Sequence, residues 1–161
     1  MKHISIVSSI VLAGCASTTV QVPEKLQPGA GESLALVVPA KGVQIYECRT
    51  DKWVFVAPEA DLFDRSGKKI GRHYAGPHWE AADGSKIVAS LKERADAPAA
   101  GDIPWLLLSA KSVGGEGSFS KVTSIQRVAT VGGVAPEGAC NRPGDRASVR
   151  YAADYYFFTS K

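Results

Sequence analysis

An all-β single domain, an antiparallel sandwich or barrel of short strands, is the fold class predicted for this chain of 161 residues. Two observations carry it. Past residue 33 the apolar residues recur with a period of two rather than 3.6, and turn residues interrupt them at intervals of about 8–12 positions. The 16 glycines and 9 prolines supply those turns, a composition that suits short strands better than helices.

Each element follows from its own residues. "SLALVVP" sets Leu34, Leu36 and Val38 on one face, and "GVQIYEC" sets Val43 and Ile45 opposite Tyr46 and Cys48. "KWVFVAP" is apolar on both faces, which predicts a strand covered on both sides. "LFDRSGKKIG" turns at Asp64 to Gly67. "EAADGSKIV" turns at Asp83-Gly84, where a tight hairpin needs the positive φ that glycine adopts without a Cβ clash. "SKIVASLKERADA" holds Ile87, Val88 and Leu91 at helical offsets, yet it leaves that turn directly and is assigned to a strand. "IPWLLLSAKS", "VTSIQRVATVGG" and "VRYAADYYFF" add β-branched and aromatic strands, with "VGGEGSF" as a long hairpin loop. The last strand sets Val149, Tyr151, Tyr155 and Phe157 opposite Arg150, Asp154, Tyr156 and Phe158.

The chain opens "MKHISIVSSIVLAGC": Lys2, a short apolar run, then small residues. That is the pattern of an export signal, and the run is well short of the roughly 20 residues a membrane span needs. Leu12-Ala13-Gly14-Cys15 resembles the lipobox of bacterial lipoproteins. The resemblance implies removal of residues 1–14, a diacylglycerol on the Cys15 sulfur, and a membrane partner reached through that lipid. Ala16, in place of an aspartate, points by the same resemblance to the outer membrane of the cell envelope. "ASTTVQVPEKLQPGAGE" reads as a flexible tether over residues 15–32, followed by a β domain over 33–161. Loss of Lys2 takes the 19 basic residues to 18 against 16 acidic, a formal charge of +2. No basic stripe is present, which argues against nucleic acid. Cys48 and Cys140 then form an even pair in an oxidising compartment, so a disulfide is expected. A rival use of both thiols, a metal site with His73 and His78, lacks the spacing of structural zinc sites.

"KGVQIYEC", "WVFVAPEADLFD", "IGRHYAGPHWEAADGSKIVAS", "IPWLLLSAKS", "VTSIQRVATVGGVAP" and "YAADYYFF" together resemble an uncharacterised family, domain of unknown function 3455. The resemblance spans Leu34 to Phe158 and keeps segment order. It implies one exported domain, with Cys48 and Cys140 where the family pattern has them. It brings no activity.

Candidate chemistry is concentrated in "GRHYAGPHWEAADGS". On extended chain His78 shares a face with Glu80, so the pair makes a candidate acid or base, with His73 or Asp83 in support. The plainer reading has Trp79 filling the core. Arg127 calls for a carboxylate such as Glu80 or Asp154 if buried, or reaches solvent with its tip. Trp79, Tyr74 and Arg127 are the ligand-binding candidates. With Trp53, Trp105 and the Tyr151/Tyr155/Tyr156 group, the aromatics either line a concave surface or pack as core. No nucleophile elbow, phosphate loop or metal-ligand spacing is found, so no cofactor and no metal are expected. These residues lead to a non-enzymatic binding or structural module whose ligand is a protein, glycan or small molecule. A hydrolase-like or metal-dependent enzyme built on residues 71–85 is the alternative. Radiolabelled palmitate should enter the wild-type chain and not Cys15→Ala; equal labelling of the two refutes the lipid anchor.

Overall fold

The computed structural model describes residues 20–161. The expected signal peptide, the lipid site Cys15 and the start of the expected tether lie outside the described residues. Eight strands follow in order: β1 (Glu32–Arg49), β2 (Lys52–Phe63), β3 (Lys69–Tyr74), β4 (His78–Ala81), β5 (Lys86–Ala95), β6 (Trp105–Ser112), β7 (Val122–Gly132) and β8 (Arg146–Ser160). Each pairs antiparallel with its successor, and β8 returns to β1, so the sheet closes. Of the two architectures expected, the barrel is the one formed. The Asp83-Gly84 turn and the strand over residues 86–95 stand as predicted. Among the described residues no helix is long and apolar enough to cross a membrane.

Closure at eight strands requires strong coiling. The 18-residue β1 achieves it with register shifts at Leu34/Leu36 and Ile45/Tyr46. At Gly42 the strands approach so closely that a Cβ would lie 2.1 Å from the Glu59 carbonyl oxygen. The first shift breaks the single face expected for Leu34, Leu36 and Val38. Leu34 is exposed, while Val38 is buried. Shifts in β7 and the positive φ of Ala129 act alike: Ile125 and Arg127 face the lumen, but Val131 points to solvent.

Two apolar clusters follow from the period-two alternation. The larger fills the lumen with Val38, Leu62, Trp79, Ile87, Ile125, Tyr155 and Phe157. One end is stoppered by Phe119 of the β6–β7 loop, fully buried with its ring edge-on to Phe157 at 4.9 Å. Asp83 fastens that loop. Its carboxylate accepts from the amide and hydroxyl of Ser118 (2.7 and 2.6 Å) and of Ser85 (3.0 and 2.6 Å). Those bonds hold the Asp83 carboxyl well below the usual carboxylate range. Ser85 in turn accepts from the Phe119 amide at 3.1 Å.

The smaller cluster lies outside the wall, where Leu26 covers Trp105, Leu107 and Val128. Leu26 belongs to a short 3₁₀ turn, Glu24–Leu26, and its carbonyl accepts from buried Gln126 at 2.6 Å. Glu32 then accepts from Thr123 and Ser124. Residues 20–31 are therefore a strap packed on the barrel, which corrects the flexible tether expected over 15–32 for its described part. The strap also explains why β6 is apolar on both faces. The doubly covered strand expected at "KWVFVAP" is not found: Val54 and Phe55 are exposed at the barrel's open end.

Cys48 and Cys140 are bonded, joining β1 to the β7–β8 loop across 92 residues. Removing the stopper with Phe119→Ala should lower the unfolding free energy by about 3–5 kcal/mol, read by urea denaturation. Phe55→Ala, at a side chain left half in solvent, should cost less than about 1 kcal/mol.

Candidate binding site in the barrel lumen

Opposite the Phe119 stopper, small inward residues leave the barrel hollow. Ala89 faces the same lumen as Trp79 and Tyr155, and its methyl group leaves space that a larger residue would fill. The resulting cavity holds about 560 Å³, within the range of about 300–1,000 Å³ usual for small-molecule sites. Its floor is Trp79, His73 and Tyr155, all buried. Its mouth lies among the β1–β2, β3–β4, β5–β6 and β7–β8 connections, where Phe55, Leu91 and Val134 are 50%, 61% and 39% exposed.

The mouth is held in place by specific bonds. The Tyr46 hydroxyl donates to the Gly133 carbonyl at 2.6 Å, and Thr130 donates to the Ile103 carbonyl at 2.7 Å. Gly133 has φ +85, and a Cβ there would meet Tyr151 Cβ at 2.8 Å and Ile103 Cγ2 at 3.0 Å. Only glycine serves at that position. The disulfide pins the same loop from its far side, with the Cys48 amide donating to the Asp145 carbonyl and the Gly144 amide to that of Cys48.

Arg127, Gln44, Trp79 and His73 are among the polar groups that line this space. Arg127 donates through Nε and Nη2 to the Pro104 carbonyl at 3.1 and 2.8 Å. The ion pairs among the described residues leave it out, so it meets neither of the two carboxylates expected for it, Glu80 and Asp154. Gln44, 2% exposed, presents an Nε2 with no partner, and so does the Nε1 of Trp79. His73 lies stacked on Trp79 at 3.9 Å, and its Nδ1–H donates to the His78 carbonyl at 2.8 Å. Burial pushes the His73 imidazole down to about 3, and Arg127 nearby adds to the depression while the His78 carbonyl opposes it. The ring is neutral at physiological pH.

The remaining candidates stand elsewhere. β3 and β4 alternate across the wall, so His73 and Trp79 turn inward while Arg72, Tyr74, His78 and Glu80 turn outward. Glu80 accepts from Tyr74 at 2.5 Å and from Arg72 at 3.2 Å, with Lys86 at 3.5 Å. The Tyr74 hydroxyl and the Arg72 charge hold its carboxyl below the usual range. His78 bonds the Ala75 carbonyl at 2.7 Å and stacks on Tyr74, without a bond to Glu80. Asp83 fastens the closed end. The four acid-base candidates therefore do not converge. Trp79 and Arg127 share the lumen, Tyr74 does not, and Trp105 packs outside under the strap. The rival metal reading loses its thiols to the disulfide, and among the described residues no three His, Cys, Asp or Glu side chains gather. The sequence reading missed Gln44, which is legible only as a polar residue within an inward-facing register.

Fold and cavity together define a closed, up-and-down eight-stranded barrel with a lumen open at one end. Residues 28–159 match the model of the family described as protein of unknown function DUF3455, and the chain belongs to that family. No curated protein and no solved structure matched it in comparison.

The depressed His73 has a consequence for stability. The unfolded chain takes up a proton near pH 6.5 that the folded chain refuses until about pH 3. Folding is thus fully supported above pH 6.5 and loses support as pH falls through that window, at up to about 1.4 kcal/mol per pH unit. Between pH 6.5 and 4.5 the wild type should lose about 2–3 kcal/mol more than His73→Phe, measured by urea unfolding. Parallel losses in the two proteins refute the assignment.

Proposed function

We propose that this chain is a cell-envelope lipoprotein whose barrel holds a small, largely apolar molecule in its lumen and performs no chemistry on it. The observation that carries the reading is the open cavity of about 560 Å³ with an exposed apolar rim. Eight-stranded barrels with an interior this size have room for one small ligand. Apolar walls with a few fixed polar groups are the usual composition of such sites. The polar groups that acid-base chemistry would need support the same reading by their engagements. Glu80 is bonded to its outer-wall neighbours, Asp83 is locked in a turn, and His73 is neutral and already bonded.

The address completes the proposal. A lipid on Cys15 would hold the barrel at the outer membrane on its periplasm-facing or surface side. The membrane is then the lipoprotein's standing partner, and the lumen its means of receiving a hydrophobic one.

A neutral, environment-sensitive dye such as N-phenyl-1-naphthylamine should brighten on binding the folded protein at micromolar concentration. Leu91→Glu at the rim and Ala89→Phe in the lumen should each weaken that binding at least fivefold while far-UV circular dichroism stays unchanged. A dye that binds wild type and both variants equally refutes the lumen as the site.

A further inference from the structure

The lumen is provided with hydrogen-bond donors and lacks acids. Among the described residues no aspartate or glutamate lines it, and its cations are Arg127 inside and Arg94 at the mouth. Arg127 is half-buried, and its Nε and one Nη2 hydrogen are fixed on the Pro104 carbonyl. That leaves three of the five N–H donors of a guanidinium facing a largely apolar space, with the Tyr155 hydroxyl as their nearby polar neighbour. A guanidinium so placed is costly to desolvate without an anion, and a carbonyl dipole offsets only part of that cost. Gln44 supplies a second, independent sign: its side chain lines the same cavity, is 2% exposed, and has an amide nitrogen that bonds to nothing among the described residues. Buried polar atoms without partners are rare and call for an explanation. The indole nitrogen of Trp79, on the cavity floor, is a third donor in the same condition.

We propose that the lumen receives a hydrophobic carboxylate, its apolar tail against the cavity wall and its carboxylate accepting from the Arg127 guanidinium and the Gln44 amide. The inference rests on the binding role given above and adds the class of ligand. One guanidinium matches one carboxylate in charge and in planar fork geometry. The uncharged His73 contributes no second charge, so a doubly charged phosphate head would be left with an unmatched negative charge. An alcohol or hydrocarbon fills the same volume but leaves the guanidinium without a counter-ion. Arg94, exposed at the rim, draws anions toward the opening.

The test uses the full chain carrying Cys15→Ser, which takes no lipid, with dodecanoate and dodecanol below their micelle concentrations. Each is titrated against bound N-phenyl-1-naphthylamine. Dodecanoate should displace the neutral dye at a concentration at least tenfold lower than dodecanol. Arg127→Met, with its own dye affinity measured first, should erase that advantage, and Gln44→Leu should narrow it. If Arg127→Met fails to hold the dye, Arg127→Gln reads the same ratio with the donors kept and the charge removed. Equal displacement by the two competitors in wild type, or an advantage unchanged in the Arg127 variants, overturns the proposal while leaving the lumen as a binding site. Failure of the dye to bind wild type overturns the lumen reading itself.

Discussion

The pairing of β1 with β8, from Glu32 opposite Ser160 to Glu47 opposite Arg146, makes one closed surface of what would otherwise be a meander with two exposed edges. Open edges invite pairing with other chains; closure satisfies them internally and gives the molecule an inside. Everything else is arranged around that seam. The bulges in β1 let a long strand follow the curve, and Gly42 lets β2 come close. The disulfide ties the same strand to the β7–β8 loop at the mouth, as Glu32 ties its start to β7.

Once the sheet is closed, side-chain size decides what the interior becomes. Large residues converge toward the Phe119 end and make it solid. Toward the mouth, the small side chain of Ala89 yields space, and Trp79 and Tyr155 form a floor beneath it. The polar groups follow the same rule of two faces. One short hairpin, β3–β4, sends His73 and Trp79 inward and His78 and Glu80 outward, so a cluster dense in sequence is dispersed in space. A hydrophobic hollow with an arginine in it has a stronger preference among ligands than its walls alone would give, because a bare charge is penalised more heavily than a bare methyl group.

Much of this architecture was legible in the residues. Alternation in "VRYAADYYFF" placed Tyr151, Tyr155 and Phe157 on one face, and that face is the buried one; the Asp83-Gly84 hairpin fell where turn chemistry put it. What escaped were features set by register and by partners distant in sequence. The bulges at Leu34/Leu36 and Val128/Val131 flip a face without any change in composition. The apolar run "KWVFVAP" looked like core because alternation cannot report whether anything covers a strand, and at a barrel mouth nothing does. Val20, Val22 and Leu26 sit in a Pro- and Gly-rich stretch whose flexibility was overrated, since three spaced apolar residues suffice to dock a strap on β6. The sequence left Arg127 between a carboxylate partner and a tip in solvent, and it has a third arrangement. The missing signal was the Pro104 carbonyl, a backbone group no sequence motif announces.

Under the proposed lipid anchor, the strap would also limit how far the barrel can wander. A leash running from Cys15 to Glu32 would let the domain roam tens of ångströms from a bilayer. With Val20 and Leu26 already docked, four residues separate Cys15 from the strap, and the five Cα–Cα steps between Cys15 and Val20 span at most about 17 Å. Anchored as proposed, the molecule would ride against the lipid head groups like a moored float, its hollow never more than about one domain's breadth from the leaflet. Hydrophobic cargo leaving that leaflet would cross very little water on the way.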